Sequence, residues 1–165
     1  MKIIQKIGLV FLLLVNACIA GAQDVAYSPY QKFDFRGGDF SVIGKIGGRV
    51  YTYRSSVEGA FMDAYNDSMQ LVAKVVLDFF PKKIYETKFI AYNDKTIVLY
   101  QGVEGNKLTQ YAAILDATGR LKAGPVKLDE TKTGLFGPVK TYFSSGISDD
   151  KKTIVVFSRQ HKLSP

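Results

Sequence analysis

Few side chains in this sequence have much to offer chemically. His161 is the one imidazole in 165 residues, and tryptophan is absent. A metal site needs three or four converging ligands and a catalytic triad needs a serine and a carboxylate beside the imidazole, so His161 near the end of the chain reads as a solvated side chain. Ser144-Ser145-Gly146 places serine next to glycine, but a nucleophile elbow needs Gly-x-Ser-x-Gly at a strand-to-helix turn; this run reads as strand. Asn66-Asp67, Asn93-Asp94, Asp116 and Asp149-Asp150 could offer oxygens to calcium, which takes six or more from acidic positions alternating within a dozen residues. None of these runs alternates that way, and Asn and Asp make turns by bonding their own main chain. Asp63, Glu86, Glu104 and Asp129 are candidates for glycoside hydrolysis only in that nothing excludes them, since the reaction requires two carboxylates facing one cleft. Ile46-Gly47-Gly48-Arg49 and Gly119-Arg120 read as hairpin punctuation, without the strand-to-helix setting of a phosphate loop. Tyr27, Tyr30, Tyr51 and Tyr92 could stack on sugars or peptides, although packing between sheets is the commoner use of such rings. The inventory leads us to expect no catalytic residue, cofactor or metal, and a binding protein rather than an enzyme.

The elements that must position these groups begin after an export signal. Lys2 and Lys6 flank the start of the apolar run Ile7-Gly8-Leu9-Val10-Phe11-Leu12-Leu13-Leu14-Val15, and small residues end at Ala20-Gly21-Ala22-Gln23. This is the basic, apolar, small-residue order of a secretory signal peptide, and the run is shorter than the ~20 residues that span a bilayer. Cleavage is expected between Ala22 and Gln23, with Ala20 and Ala22 read by the peptidase. Residues 1–22 are then the signal peptide, and 143 residues remain to fold. Cys18 is the only cysteine; it would be acylated in a lipobox, but Asn16 stands where a small or apolar residue is wanted. Cleavage beyond Cys18 leaves no thiol, so disulfide and thiolate chemistry drop out. The formal charge of +7 falls by two with the signal, and the remaining basic residues are scattered, pairing only at Lys82-Lys83 and Lys151-Lys152. A nucleic-acid partner would call for a basic stripe, so none is expected. The mature chain has no transmembrane segment, and its expected location is exported: the periplasm, the outer-membrane surface or the extracellular medium.

Residues 23–38 are rich in Tyr, Phe and Gly without a period and read as an irregular lead-in. From residue 39 onward, short apolar runs alternate with turn signals at Gly47-Gly48, Asn66-Asp67, Asn93-Asp94, Gly105-Asn106, Thr118-Gly119 and Asp149-Asp150, which predicts an all-β fold. The chain also resembles itself. Arg49–Arg54 recurs as Thr96–Gln101 and as Thr153–Ser158, at offsets of 47 and 57. Phe61–Asp67 followed by Leu71–Asp78 answers to Tyr111–Ala117 followed by Leu121–Asp129, both closing on Leu-Asp. Ile97–Tyr100 and Ile154–Phe157 are apolar at consecutive positions, so both faces of those strands need cover, and the links are too short for helical crossovers. An antiparallel four-stranded sheet stacked between two like sheets meets that need. Ser68–Pro81 dissents: apolar residues at 72, 75, 76, 79 and 80, with Ser68 as an N-cap and Pro81 as a stop, allow a helix. Its match to Leu121–Asp129, which contains Gly124-Pro125, favours a strand.

Asn93-Asp94-Lys95-Thr96-Ile97-Val98-Leu99-Tyr100 and Ser148-Asp149-Asp150-Lys151-Lys152-Thr153-Ile154-Val155-Val156-Phe157-Ser158 are similar to the strand, acidic turn, lysine, strand pattern of TolB-like and WD40-like β-propellers in exported bacterial proteins. The similarity extends over residues 39–165, without the Trp-Asp dipeptide. It implies antiparallel four-stranded blade-like repeats, a partial β-propeller, with blades over about 39–80 and 84–131 and a partial blade over about 140–165. Closed propellers have at least four blades, so the resemblance implies a fragment of a longer protein, an assembly of copies or an open sandwich, of which the fragment is the expectation.

The expected function is that of an exported propeller-like binding or scaffold module whose loops take a protein, peptide or glycan partner. Two other readings stand beside it. One is the accessory domain of a secreted hydrolase whose catalytic residues lie outside this chain; the other is an oligomeric envelope structural protein that self-associates through open strand edges.

Overall fold

Hairpin chemistry sets the strand boundaries, and the computed structural model, which describes residues 25–29, 38–133 and 141–160, is all-β with antiparallel four-stranded sheets, as expected. Strands β1 (Phe40–Ile46) and β2 (Arg49–Ser56) meet at Gly47-Gly48, whose φ angles of 54° and 83° glycine adopts without steric cost. With β3 (Gly59–Tyr65) and β4 (Leu71–Val76) they form a first sheet in the order β1-β2-β3-β4. A second sheet repeats that order with β5 (Ile84–Ala91), β6 (Lys95–Glu104), β7 (Lys107–Asp116) and β8 (Leu121–Lys132). A hairpin of β9 (Thr141–Ile147) and β10 (Ile154–Gln160) makes a third layer. Within Ser68–Pro81 the strand alternative prevails at Leu71–Val76, where Val72, Val75 and Val76 are stiff at χ1 and suit a pleated surface. No helix among the described residues is long and apolar enough to cross a membrane. Cys18, Ala20, Ala22, Gln23 and His161 lie outside the described residues.

The core lies between the two sheets. Tyr51, Tyr53, Met62 and Ala64 from the first meet Val98, Tyr100, Ala113 and Leu115 from the second in one buried cluster. The β4–β5 link drops Phe79 and Phe80 into the same space: the Phe80 ring lies 6.1 Å from Tyr53 and 4.7 Å from Tyr100, and Tyr100 stacks on Tyr111 at 5.2 Å. The hairpin covers the opposite face of the second sheet, where Phe143 is buried.

All three layers point the same way. The Gly47 N–H donates to the Asn93 carbonyl (3.1 Å), which puts the β1–β2 and β5–β6 turns at one end, and the Tyr92 hydroxyl donates to the Lys151 carbonyl, which puts the β9–β10 turn there too. Gly44 on β1 lies against Ala91 on β5. Two sheets of equal strand order, stacked first strand on first strand in the same direction, must present the face of one to the back of the next.

Face-to-back stacking corrects the register read from the sequence. Tyr51 and Val98, matched there at an offset of 47, both point into the same interlayer, whereas equivalent residues of face-to-back layers point the same way and cannot meet. The hairpins give β2 against β6 an offset of 46 at one turn, Arg49 with Lys95, and 48 at the other, Ser56 with Glu104, because β6 is longer. A one-residue slip moves every side chain to the other face, and along β6, apolar on both faces from Ile97 to Tyr100, the sequence pattern does not record it. The closing Leu-Asp match also fails: Leu77 is buried beyond the end of β4, whereas Leu128 is exposed within β8. The turns after β3 and β7 do share a geometry. Asn66 Oδ1 accepts the Gln70 N–H (2.9 Å) and Asp116 Oδ1 the Arg120 N–H (3.1 Å), each with a left-handed residue three positions after the acceptor, Met69 at φ 57° and Gly119 at φ 84°.

Carboxylates in the turns and on β8 make stability pH-dependent. The Thr118 hydroxyl and main chain hold the Asp116 carboxyl below its ordinary value of 3.8, the Ser148 hydroxyl does the same for Asp150, and Lys107 and Lys127 pull Glu130 from 4.5 down to about 2. Each group binds fewer protons folded than unfolded, so each stabilises the fold above its ordinary value and ceases to do so as pH falls through its folded value. The urea midpoint is expected to be flat above about pH 5 and to fall between pH 4.5 and about 2, less steeply in Asp116→Asn; a midpoint unchanged across that window would contradict the assignment.

Candidate functional site

The four carboxylates singled out in the sequence do not converge. Asp63 is 1% exposed on the far face of the first sheet, where the Arg54 guanidinium binds one of its oxygens. Arg54 and Lys74 place their cations 4.5 and 4.2 Å from the centre of the Phe61 ring. A buried pair held this way braces the sheet and is costly to break. Glu86, Gln101, Gln110 and Asp129 stand in register across the second sheet, on the face turned to the third layer. Three interstrand steps of ~4.8 Å separate Glu86 from Asp129 by about 14 Å, beyond the ~5–9.5 Å of a glycosidase pair. Glu104 is exposed at the β6–β7 turn.

That polar row holds the third layer in place. The Gln101 amide donates to Glu86 (2.8 Å) and to the Phe143 carbonyl (2.8 Å), and its oxygen accepts the Phe143 N–H (3.1 Å). Lys88 donates to the Ser145 carbonyl (2.9 Å), so Ser144-Ser145-Gly146 is part of β9, as read from the sequence. The space left there is about 10 Å³, room for roughly one water.

Most of the remaining candidates that the structure describes are engaged in the fold. Asn66 and Asp116 spend their oxygens on turn amides, and Asp67 pairs with Lys45 at 2.8 Å. No group of three or more His, Cys, Asp or Glu among the described residues is placed to hold a metal ion. Tyr51 is buried with its hydroxyl on the Ala117 carbonyl (2.8 Å), Tyr92 is half-buried, and Tyr27 is exposed. Tyr30 lies outside the described residues.

Among the described residues, one site with room for a ligand is not advertised by the sequence. A cleft of about 610 Å³ opens between the β2–β3 turn and the β4–β5 link, at the end of the stack away from the Gly47, Asn93 and Lys151 turns. The Leu77 N–H donates to the Ala60 carbonyl (2.9 Å) and the Val103 N–H to the Lys83 carbonyl (3.0 Å), so the link is laced to both sheets. Gly102 permits that approach: a Cβ there would lie 2.7 Å from Pro81 Cγ. The floor is apolar, with Ala60, Leu77, Phe80, Pro81 and Ile84, and the rim carries Ser55, Ser56, Glu58, Asp78, Lys82 and Lys83. The Ser55 hydroxyl accepts the Asp39 N–H (2.9 Å) and the Ser56 hydroxyl the Glu58 N–H (3.2 Å), which fixes both. Among the described residues no ion pair engages Glu58, Asp78, Lys82 or Lys83. An apolar floor under uncompensated charge of both signs, in a volume within the ~300–1,000 Å³ of ligand sites, can hold an amphipathic, charged ligand. Lys82-Lys83 drew notice in the sequence only as a charge pair, and Val57, exposed at the hairpin tip beside Ser55-Ser56, was the local signal that could have led there. Comparison with protein-family models, with curated proteins and with solved structures finds no match to the chain.

Proposed function

We propose that this chain is an exported, propeller-like module that binds its ligand in the cleft between the β2–β3 turn and the β4–β5 link. The observation that carries the reading is the face-to-back stacking of antiparallel meanders with equivalent turns at one end, the order in which blades follow one another around a propeller axis. The shared turn after β3 and β7 supports treating the layers as repeats. Val155 and Phe157 stay exposed on the outer face of the third layer, the position at which a propeller carries its next blade. The basic, apolar and small-residue order of residues 1–22 supports export, and loops at one end of a rigid stack are where such scaffolds bind.

The test uses the chain recovered from the exported fraction, with its N-terminus expected at Gln23. Titration with short peptides and with oligosaccharides, followed by backbone amide shifts, is expected to move Ser55–Ala60 and Val76–Ile84 together. Shifts confined to any other surface would overturn the assignment of the site.

A further inference from the structure

The cleft is continuous with a strand edge that is lightly guarded. β4 pairs only with β3, and among the described residues no strand lies beyond it. The outer strand β8 is guarded by Pro125, by three register shifts and by the exposed Lys122, Lys127 and Lys132. β5 begins with a register shift beside Lys82-Lys83. β4 reads Leu71-Val72-Ala73-Lys74-Val75-Val76; its one shift falls at the start, and Leu71, Val72 and Val76 are 41%, 46% and 58% exposed. Lys74, exposed, is the one charge along this edge, and its ammonium lies over the Phe61 ring at 4.2 Å. An exposed edge that is apolar but for a single lysine is a template for another strand.

β4 runs directly into the cleft, whose wall includes Val76, Leu77 and Asp78. A strand added to β4 therefore continues onto the apolar floor and past the free charges of Glu58, Asp78, Lys82 and Lys83. Charge of both signs suits a peptide, which brings ammonium and carboxylate groups of its own. A glycan would find a single aromatic ring there, Phe80. We propose that β4 and the cleft beyond it form one docking surface for an extended peptide segment, which joins the first sheet as a fifth strand and sets charged side chains against the cleft rim. The proposal rests on the cleft being the ligand site and names the ligand class and the way it is held.

The probe is a synthetic peptide, Lys-Val-Thr-Val-Thr-Val-Glu, in three forms: unmodified, and N-methylated at alternate amides in either of the two phases. A strand on an edge directs alternate amides at its partner, so one phase is expected to bind about tenfold or more weakly and the other to bind like the parent, with amide shifts running from Leu71 to Asp78. The exposed-residue double variant Val72→Lys/Val76→Lys is expected to show the same loss with its fold intact. Shifts in the cleft alone, insensitive to either phase of methylation, would overturn strand addition and leave the cleft as the ligand site. An absence of shifts in both places would overturn both. A concentration-dependent dimer that Val76→Lys abolishes, with no response to peptide, would make a second copy the occupant and overturn the peptide.

Discussion

Tyr100→Ala is expected to lower the unfolding free energy by about 4 kcal/mol, the largest loss from any single truncation in this core. Tyr100 is 2% exposed and lies 6.0 Å from the Phe79 ring, 4.7 Å from Phe80 and 5.2 Å from Tyr111. Its ring is thus where the second sheet, the β4–β5 link and, through Phe80, the first sheet meet. Removing it opens a cavity that three aromatic neighbours cannot all close, and the neighbours lose dispersion contacts outright. Domains of this size hold about 5–15 kcal/mol in all, so the urea midpoint should fall by a large fraction, with an unchanged slope if the two sheets unfold together. Burial also pushes the phenol up to about 12 from 10.0. The neutral ring's contribution is therefore complete at neutral pH and is lost only as pH rises through the folded value. Tyr100→Phe keeps the ring and should cost less than about 1.5 kcal/mol. A loss under about 1 kcal/mol for Tyr100→Ala, against the ~3–5 expected of a buried aromatic, would mean that the two sheets are not packed through this ring.

The all-β class and the antiparallel pairing were legible because they are local properties. Gly47-Gly48 and Gly105-Asn106 close their hairpins within a few residues, and Asn66 and Asp116 make turns with their own neighbours. β2 and β6 hold the same place in their two sheets, but the residue register between them could not be read from the sequence, because β6 is apolar on both faces from Ile97 to Tyr100 and a one-residue shift leaves its pattern intact. Asp63 looked like a free carboxylate because its partner Arg54 reaches it only across the β2–β3 pair. The cleft was hidden for a related reason: its two walls, residues 55–60 and 76–84, belong to different elements, brought together where the Leu77 N–H bonds the Ala60 carbonyl. Gln101 was read as the last residue of a repeated strand motif, and its role depends on Phe143, a residue 42 positions away.

Gln101→Leu is expected to loosen the third layer without disturbing the first two. Gln101 is 3% exposed, and its amide both donates to and accepts from the main chain of Phe143, acting as a rung that joins β6 to β9 across layers. Leucine fills similar space but leaves the Phe143 N–H and carbonyl without partners, a cost of about 2 kcal/mol. Because that cost falls on one layer, hydrogen exchange should speed up at Phe143 and along β9 and β10, with little change at Val98 or Ala113 in the core between the sheets. Gln101→Glu makes the mechanism directional. At neutral pH the new carboxylate can still accept the Phe143 N–H but cannot donate to its carbonyl, and it stands beside Glu86, which the native amide bonds at 2.8 Å. Like charges at that distance raise the folded value of the pair, so protonation favours the docked state, and docking improves as pH falls toward the folded value. The acid-side response of β9 and β10 would then run opposite to that of the parent chain, in which Asp116, Asp150 and Glu130 stabilise less as pH falls. Adding Glu86→Gln should weaken the reversal, leaving the part in which the protonated carboxyl regains a donor for the Phe143 carbonyl. If exchange instead rises equally in all three layers of Gln101→Leu, the hairpin is bound into a single cooperative unit with both sheets, and the amide rung supports the whole stack.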